Sequence, residues 1–314
     1  NIYHLLNLII HLTSAIALYF LFQLTLISPE MRNRKIAGYL NLLPLFSALI
    51  FVVHPIQTQS VTYIVQRYSS LAAMFYLLSL VFFIKARISY LEKGKIFSPP
   101  HLFYYLGSIV FGISAMSCKE TAVTLPAIVL LYEYCFIDQS FKNWEKRLLY
   151  LSPLLILVLK VPLHYFPSHL DLTQLFSHPE TTISEVGQSF QLTQGDPRIT
   201  RISYLLTQFN VIMTYIRLLF LPINQNLDYD YPLSQSFFEF PTFFSFVGLI
   251  TIVAFAVWIF KRSRLISFGI FWFFITLSVT SSIIPIIDVI FEHRLYLPSA
   301  GFIIFFTVAI YQTF

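Results

Sequence analysis

The chain has 314 residues, of which 57% are hydrophobic, 18% aromatic and only 11% charged, with a formal net charge of +5. Soluble globular domains carry about 25% charged residues, so this composition excludes that class and predicts a polytopic helical membrane protein. The positive balance does not indicate nucleic-acid binding, because the basic residues lie in segments flanking apolar runs.

Nine apolar runs are long enough to cross about 30 Å of hydrocarbon: 2–27, 36–53, 69–91, 102–117, 121–137, 148–166, 243–260, 265–287 and 295–314. In the first, His4, Asn7, His11 and Ser14 fall within about 80° on a helical wheel. That stripe suits interhelical hydrogen bonding. The spacing of its histidines, with no carboxylate beside them, argues against a metal site. The second run stops at His54-Pro55, since proline breaks a helix. In the segment Ile56 to Ser70 that follows, Gln59, Thr62, Gln66 and Ser69 recur at helical spacing, which predicts a helix with a polar face and Arg67 near its end. Arg67 suits bidentate contact with a phosphate. The other reading is an arginine snorkelling at the interface.

Cys118-Lys119-Glu120 divides the fourth and fifth runs with almost no loop. Lys119 and Glu120 either pair with each other across two helix ends, or meet a phosphate and a hydroxyl respectively. If Cys118 and Cys135 lie on one helix they are about 25 Å apart, too far for a disulfide. Lys160 lies near the outer end of the sixth run. Residues 167–200 are polar. Residues 201–221 are apolar enough to cross, but Thr200, Ser203, Thr207, Asn210, Thr214 and Arg217 form a stripe within about 100°. A re-entrant or interfacial helix is expected there, with a crossing as the alternative. Asn226 to Pro232 alternates Asp228 and Asp230 with Tyr229 and Tyr231. Such a loop suits a sugar, a Ca²⁺ ion or an aromatic interfacial role. Glu292-His293-Arg294 separates the last two runs. Asp288 stands one helical turn before Glu292, so the two acids are expected on one face, in a pocket or in an interfacial ion-pair cluster.

Loops 28–35, 85–101, 138–147 and 261–264 hold thirteen of the 20 Lys and Arg residues. The positive-inside rule makes that side cytoplasmic. The junctions at His54 to Arg67, Cys118 to Glu120 and Glu292 to Arg294 then face outward together, as does a region 167–242. Charge at membrane depth is costly and is a functional-site hypothesis by default, so the three junctions are candidates for one shared site. No Walker loop, GxGxxG, GxSxG or HExxH motif is present, and no cofactor is implied.

Tyr3-His4-Leu5-Leu6-Asn7-Leu8, His11, His54-Pro55-Ile56-Gln57-Thr58-Gln59-Ser60-Val61, Arg67, Cys118-Lys119-Glu120 and Glu292-His293-Arg294-Leu295-Tyr296-Leu297-Pro298-Ser299 occur in that order. In this the chain resembles the transmembrane and tetratricopeptide-repeat proteins that act as O-mannosyltransferases in animals, with many bacterial relatives. They belong to the GT-C glycosyltransferase superfamily. The resemblance implies an all-α bundle of GT-C type, to which the apolar runs contribute about nine spanning helices plus one re-entrant or interfacial helix, in one domain over 1–314. It implies transfer of a sugar from a polyprenyl-phosphate carrier to a protein or glycan hydroxyl on the non-cytoplasmic face. Arg67 and Lys119 would hold the lipid phosphate, and His54, Glu120, Glu292, His293 and Arg294 would line the pocket, alongside Gln66, Asp228 and Asp230 from the residue reading. The family's acidic motif would precede Asn1 and its repeats would follow Phe314, so the chain is expected to be an internal piece. Gln57 and Gln59 stand where eukaryotic relatives tend to have His and Glu, which favours a bacterial relative with its site facing the periplasm or exterior. A transporter of lipid-linked sugars and a non-catalytic membrane anchor are the competing readings.

Overall fold

A computed structural model describes residues 2–94, 98–138, 144–156, 200–282 and 288–313. Its helices are α1 (Ile2–Leu26), α2 (Leu42–Val53), α3 (Thr58–Thr62), α4 (Arg67–Lys93), α5 (Pro99–Cys118), α6 (Leu125–Tyr132), α7 (Trp144–Ile156), α8 (Arg201–Phe220), α9 (Phe240–Ile259), α10 (Arg264–Leu277) and α11 (Pro298–Thr313). Short 3₁₀ turns cover Lys35–Tyr39, Pro55–Gln57, Glu120–Thr124 and Glu292–Leu295, and a π turn covers Glu133–Ile137. No strand occurs among the described residues.

Among the described residues, five helical stretches are long and apolar enough to cross a membrane: Ile2–Leu26, Arg67–Glu92, Pro99–Cys118, Glu120–Ile137 and Phe240–Ile259. A sixth is reached if α2 and the segment Pro55–Thr62, bent by 53° at His54, count as one. That is fewer than the nine runs. The run 36–53 begins in a 3₁₀ turn, which leaves α2 only 12 residues. The run 265–287 is helical to Leu277, and α10 and α11 are apolar but shorter. The run 148–166 is helical to Ile156. Lys160 and the polar stretch to residue 199 lie outside the described residues.

The α1 stripe does what its polarity requires. Asn7 Nδ2 donates to the Val61 carbonyl at 3.0 Å, and the two His11 ring nitrogens meet the Tyr296 hydroxyl at 2.8 Å and the Val52 carbonyl at 3.2 Å. In a medium without water each such bond removes an otherwise unpaired polar group. His4 is exposed and stands outside this network. Helices α10 and α11 approach at two glycines. A Cβ on Gly301 would fall 2.4 Å from Trp272 Cδ1, and one on Gly269 would fall 2.5 Å from the Gly301 carbonyl oxygen. Trp272 Nε1 donates to the Leu297 carbonyl at 3.0 Å across the same contact.

The bundle has two distinct ends. At one, Glu30 N–H donates to Phe136 O at 3.2 Å, Arg264 pairs with Glu30 at 3.0 Å, and Arg34 Nη1 donates to Arg262 O at 3.1 Å. The segments 28–35, 133–137 and 261–264 therefore meet. The loop 85–101 does not exist as read. Lys85, Arg87 and Lys93 are within α4, and Arg87 is buried against Glu133 in a bidentate pair. The cysteines are not on one helix either: Cys118 ends α5 and Cys135 sits in the π turn.

The other end gathers the three junctions. Helix α8 belongs to it along its length: Tyr204 Oη donates to Thr280 O at 2.9 Å, Tyr215 Oη to Phe291 O at 3.0 Å, and His54 Nε2 bonds Leu219 O at 3.0 Å. Its polar stripe faces the following loop, with Asn210 Nδ2 on Ser234 Oγ at 3.0 Å and Thr214 Oγ1 against Tyr231 Oη at 2.9 Å.

Candidate functional site

The predicted helix from Ile56 to Ser70 is interrupted. Tyr63 is extended and caps α3, and α4 starts afresh at Arg67. The break places Arg67, Ser69 and Ser70 in the first turn of a 27-residue helix. The positive end of a helix dipole favours an anion there. Gln66 is the N-cap but makes no capping bond; its Oε1 accepts from Ser69 Oγ at 3.4 Å. Arg67 Nε donates to Asn7 Oδ1 at 2.9 Å, and the guanidinium lies 5.2 Å over the Tyr3 ring. Its Nη2 is buried with no hydrogen-bond partner among the described residues.

Lys119 reaches the same turn from α5. Its Nζ donates to Ser69 Oγ at 2.7 Å. Burial lowers its pKa from 10.5 to about 8; Glu120 opposes that shift and Arg294 adds to it. Lys119, Ser69, His293 and Arg294 line one cavity of about 20 Å³, room for about one water molecule. The His293 N–H donates to Gln59 Oε1 at 3.0 Å, and Gln57 Nε2 donates to Ser299 Oγ at 2.9 Å. All three junctions thus converge. The cations are close enough to act on one another: burial first, then Lys119 and Arg294, push the His293 imidazole down to about 3. His293 is therefore neutral at physiological pH.

The acids divide. Glu292 is 2% exposed. It accepts from Gln225 Nε2 at 2.7 Å, from the Asn226 N–H at 2.9 Å and from Tyr229 Oη. It clamps the loop after α8, with three of its roughly four acceptor sites occupied. Glu120 is exposed and makes no hydrogen bond or ion pair among the described residues. The acid-aromatic alternation resolves the same way: Tyr229 and Tyr231 turn inward to Glu292 and Thr214, while Asp228 and Asp230 are exposed and outside the cavity. Asp288 does not share a helical face with Glu292, because helix resumes only at Glu292. Its carbonyl and that of Val289 accept from Arg294, which also lies 5.6 Å over Phe291. His54 is saturated, with Nδ1 accepting from Ile56 N–H at 3.2 Å and Nε2 on Leu219. It fixes the elbow between α2 and α3 against α8.

Ser69, Gln225 and Tyr229 bridge the junctions. Sequence reasoning placed Ser69 on the polar face and Tyr229 in the acid-aromatic loop but passed over Gln225, whose only signal is its place beside that loop. Glu292→Ala is expected to leave three donors unpaired. The cost is about 2–3 kcal/mol, since bonds to a charged acceptor are among the stronger ones. Limited proteolysis within 221–239 should accelerate, with Glu292→Gln intermediate; an unchanged cleavage pattern in Glu292→Ala would refute the clamp.

No protein-family model and no solved structure matches the chain. Among curated proteins it is similar to human protein O-mannosyl-transferase TMTC4, at 29% identity over 140 residues, which is 44% of this chain and 18% of the relative. Human TMTC1 is 30% identical over 131 residues, 42% of this chain and 14% of the relative. Human TMTC3 is 33% identical over 144 residues, 44% of this chain and 13% of the relative. The matched stretch spans less than a fifth of each relative's length. The resemblance to this family of O-mannosyltransferases therefore holds on independent comparison.

Proposed function

We propose, from this kinship, that the chain is the membrane part of a glycosyltransferase that moves a sugar, with mannose the first candidate, from a polyprenyl-phosphate donor to a protein or glycan hydroxyl on the extracytoplasmic face. Two observations at the first turn of α4 carry the reading: Arg67, which opens that turn, has one buried guanidinium nitrogen unpartnered, and Lys119 Nζ donates to Ser69 Oγ in the same turn. Two cations and a helix N-terminus suit a phosphate leaving group. In the transfer, the acceptor oxygen bonds to the sugar's anomeric carbon. The bond from that carbon to the phosphate oxygen breaks, and its electron pair stays on the phosphate. Arg67 and Lys119 stabilise the charge that develops there. The acceptor proton passes to a carboxylate. Glu292 already accepts three hydrogen bonds in its clamp, and in the resembled family the acid belongs to a loop preceding α1. Arg294 and His293 hold the wall opposite Ser69, and the cavity must widen to admit the headgroup.

The test is transfer by purified full-length protein from polyprenyl-phosphate mannose, comparing wild type with Arg67→Ala and Lys119→Ala. Each variant is expected to lose about 10²–10³-fold in kcat, the usual loss when a donor to transition-state charge is removed. A melting curve on the same samples separates lost folding from lost chemistry. Undiminished transfer by both folded variants would overturn the phosphate assignment.

A further inference from the structure

A second cavity lies at the opposite end of the bundle from the junctions. It measures about 700 Å³ and opens between the Lys35–Tyr39 turn, the start of α10 and the end of α11. Four cations line it: Arg34, Lys35, Arg262 and Arg264. Arg264 pairs with Glu30 and donates to Cys135 O at 2.9 Å, yet its Nε is buried without a partner. Arg34 is spent on a carbonyl, that of Arg262. Lys35 and Arg262 are exposed, and none of the residues lining the cavity is acidic. The α10 N-terminus opens here too, and its cap, Ser263, makes no side-chain capping bond. Instead Ser263 Oγ accepts from Gln312 Nε2 at 2.9 Å. The rest of the wall is apolar or aromatic, with Ile36, Leu265 and Ile310 beside the Tyr39–Tyr311 ring pair.

A basic mouth, a helix N-terminus and an apolar wall at the end of a membrane bundle are what an amphiphilic anion requires. We propose that this cavity binds the phosphate headgroup of an anionic membrane lipid, with its acyl chains against the α10 and α11 apolar wall. Lys35 and Arg262 are the headgroup contacts, because both are exposed and neither makes a side-chain hydrogen bond or ion pair among the described residues; Arg262 lies 5.3 Å over the Trp258 ring, which leaves its N–H groups open. A basic pocket between transmembrane helices suits such headgroups, and each basic residue near the surface contributes on the order of fivefold in affinity. The site is remote from the junctions and does not rest on the transfer reaction.

The shared chemistry is phosphate, so the test separates lipid from soluble sources. Delipidated full-length protein in detergent is titrated with phosphatidylglycerol, phosphatidylcholine or inorganic phosphate, following the melting temperature. Phosphatidylglycerol alone is expected to stabilise the wild type. Lys35→Ala and Arg262→Ala should each raise its half-saturating concentration about fivefold. Lys35→Arg should restore binding, and Lys261→Ala, which removes a cation outside the cavity, should leave it unchanged. Equal stabilisation by phosphatidylcholine, undiminished response in both alanine variants, or the same effect from inorganic phosphate would overturn the lipid assignment.

Discussion

Arg87→Ala and Glu133→Ala are each expected to destabilise the bundle by about 3–5 kcal/mol, while Arg87→Met combined with Glu133→Leu should be close to neutral. The pair is bidentate, and the two side chains are 8% and 1% exposed. Arg87 lies on α4, inside a stretch apolar enough to cross the membrane. Glu133 opens the π turn that ends α6. Removing one partner strands the other charge away from water. Removing both also removes the desolvation cost that their attraction had to offset. Denaturation of the two single variants and the double variant completes a mutant cycle, in which the coupling should account for most of either single loss. Single variants that melt like the wild type would show that the pair is solvated and contributes little. Arg87 also lies 5.5 Å over the Tyr90 ring on its own helix, and the expected role of the pair is to hold α4 against the α6 turn, away from the junction site.

The helical class and the end-to-end grouping of charges were legible because both follow from transfer free energy. Apolar runs must be helical in lipid, and charges must collect at their ends. The convergence of Lys119 with His293 and Arg294 follows from that grouping. The lengths of the elements were less legible. Lys35 to Tyr39 and the Glu120 to Thr124 segment are apolar enough to extend their runs, but they form 3₁₀ turns, and hydropathy does not distinguish a turn from a helix start. The break at Tyr63 was hidden for the same reason: Gln59, Thr62, Gln66 and Ser69 keep helical spacing across it, and the bond that takes up the Val61 carbonyl there is tertiary, from Asn7. Arg87 was read as a loop residue because nothing in its neighbourhood reveals a partner 46 positions away. Glu292 was read as a pocket acid because sequence gives a carboxylate's position but not the three donors that occupy it.

Donor binding is expected to weaken as pH rises through about 8, because Lys119 carries its proton below that value and loses it above. An unperturbed lysine would hold its charge to about 10.4, so the window between these values belongs to burial of this side chain. Within it, affinity for a polyprenyl-phosphate sugar should fall by up to about tenfold per pH unit, the limit for one linked proton. Bound phosphate favours the ammonium, so binding above pH 8 should take up a proton from buffer. Stability of the unliganded protein should move the opposite way. In that window the unfolded chain holds the Lys119 proton and the folded one does not, so stability rises with pH. Lys119→Arg keeps its charge and is expected to flatten both trends; Lys119→Met should bind weakly at every pH. His293, held at about 3, is expected to add no inflection near neutrality. Calorimetric titration in two buffers of different ionisation enthalpy reads affinity and proton uptake together. An affinity that holds constant from about pH 7 to about pH 9 would mean that Lys119 does not touch the phosphate, leaving Arg67 as its remaining anchor.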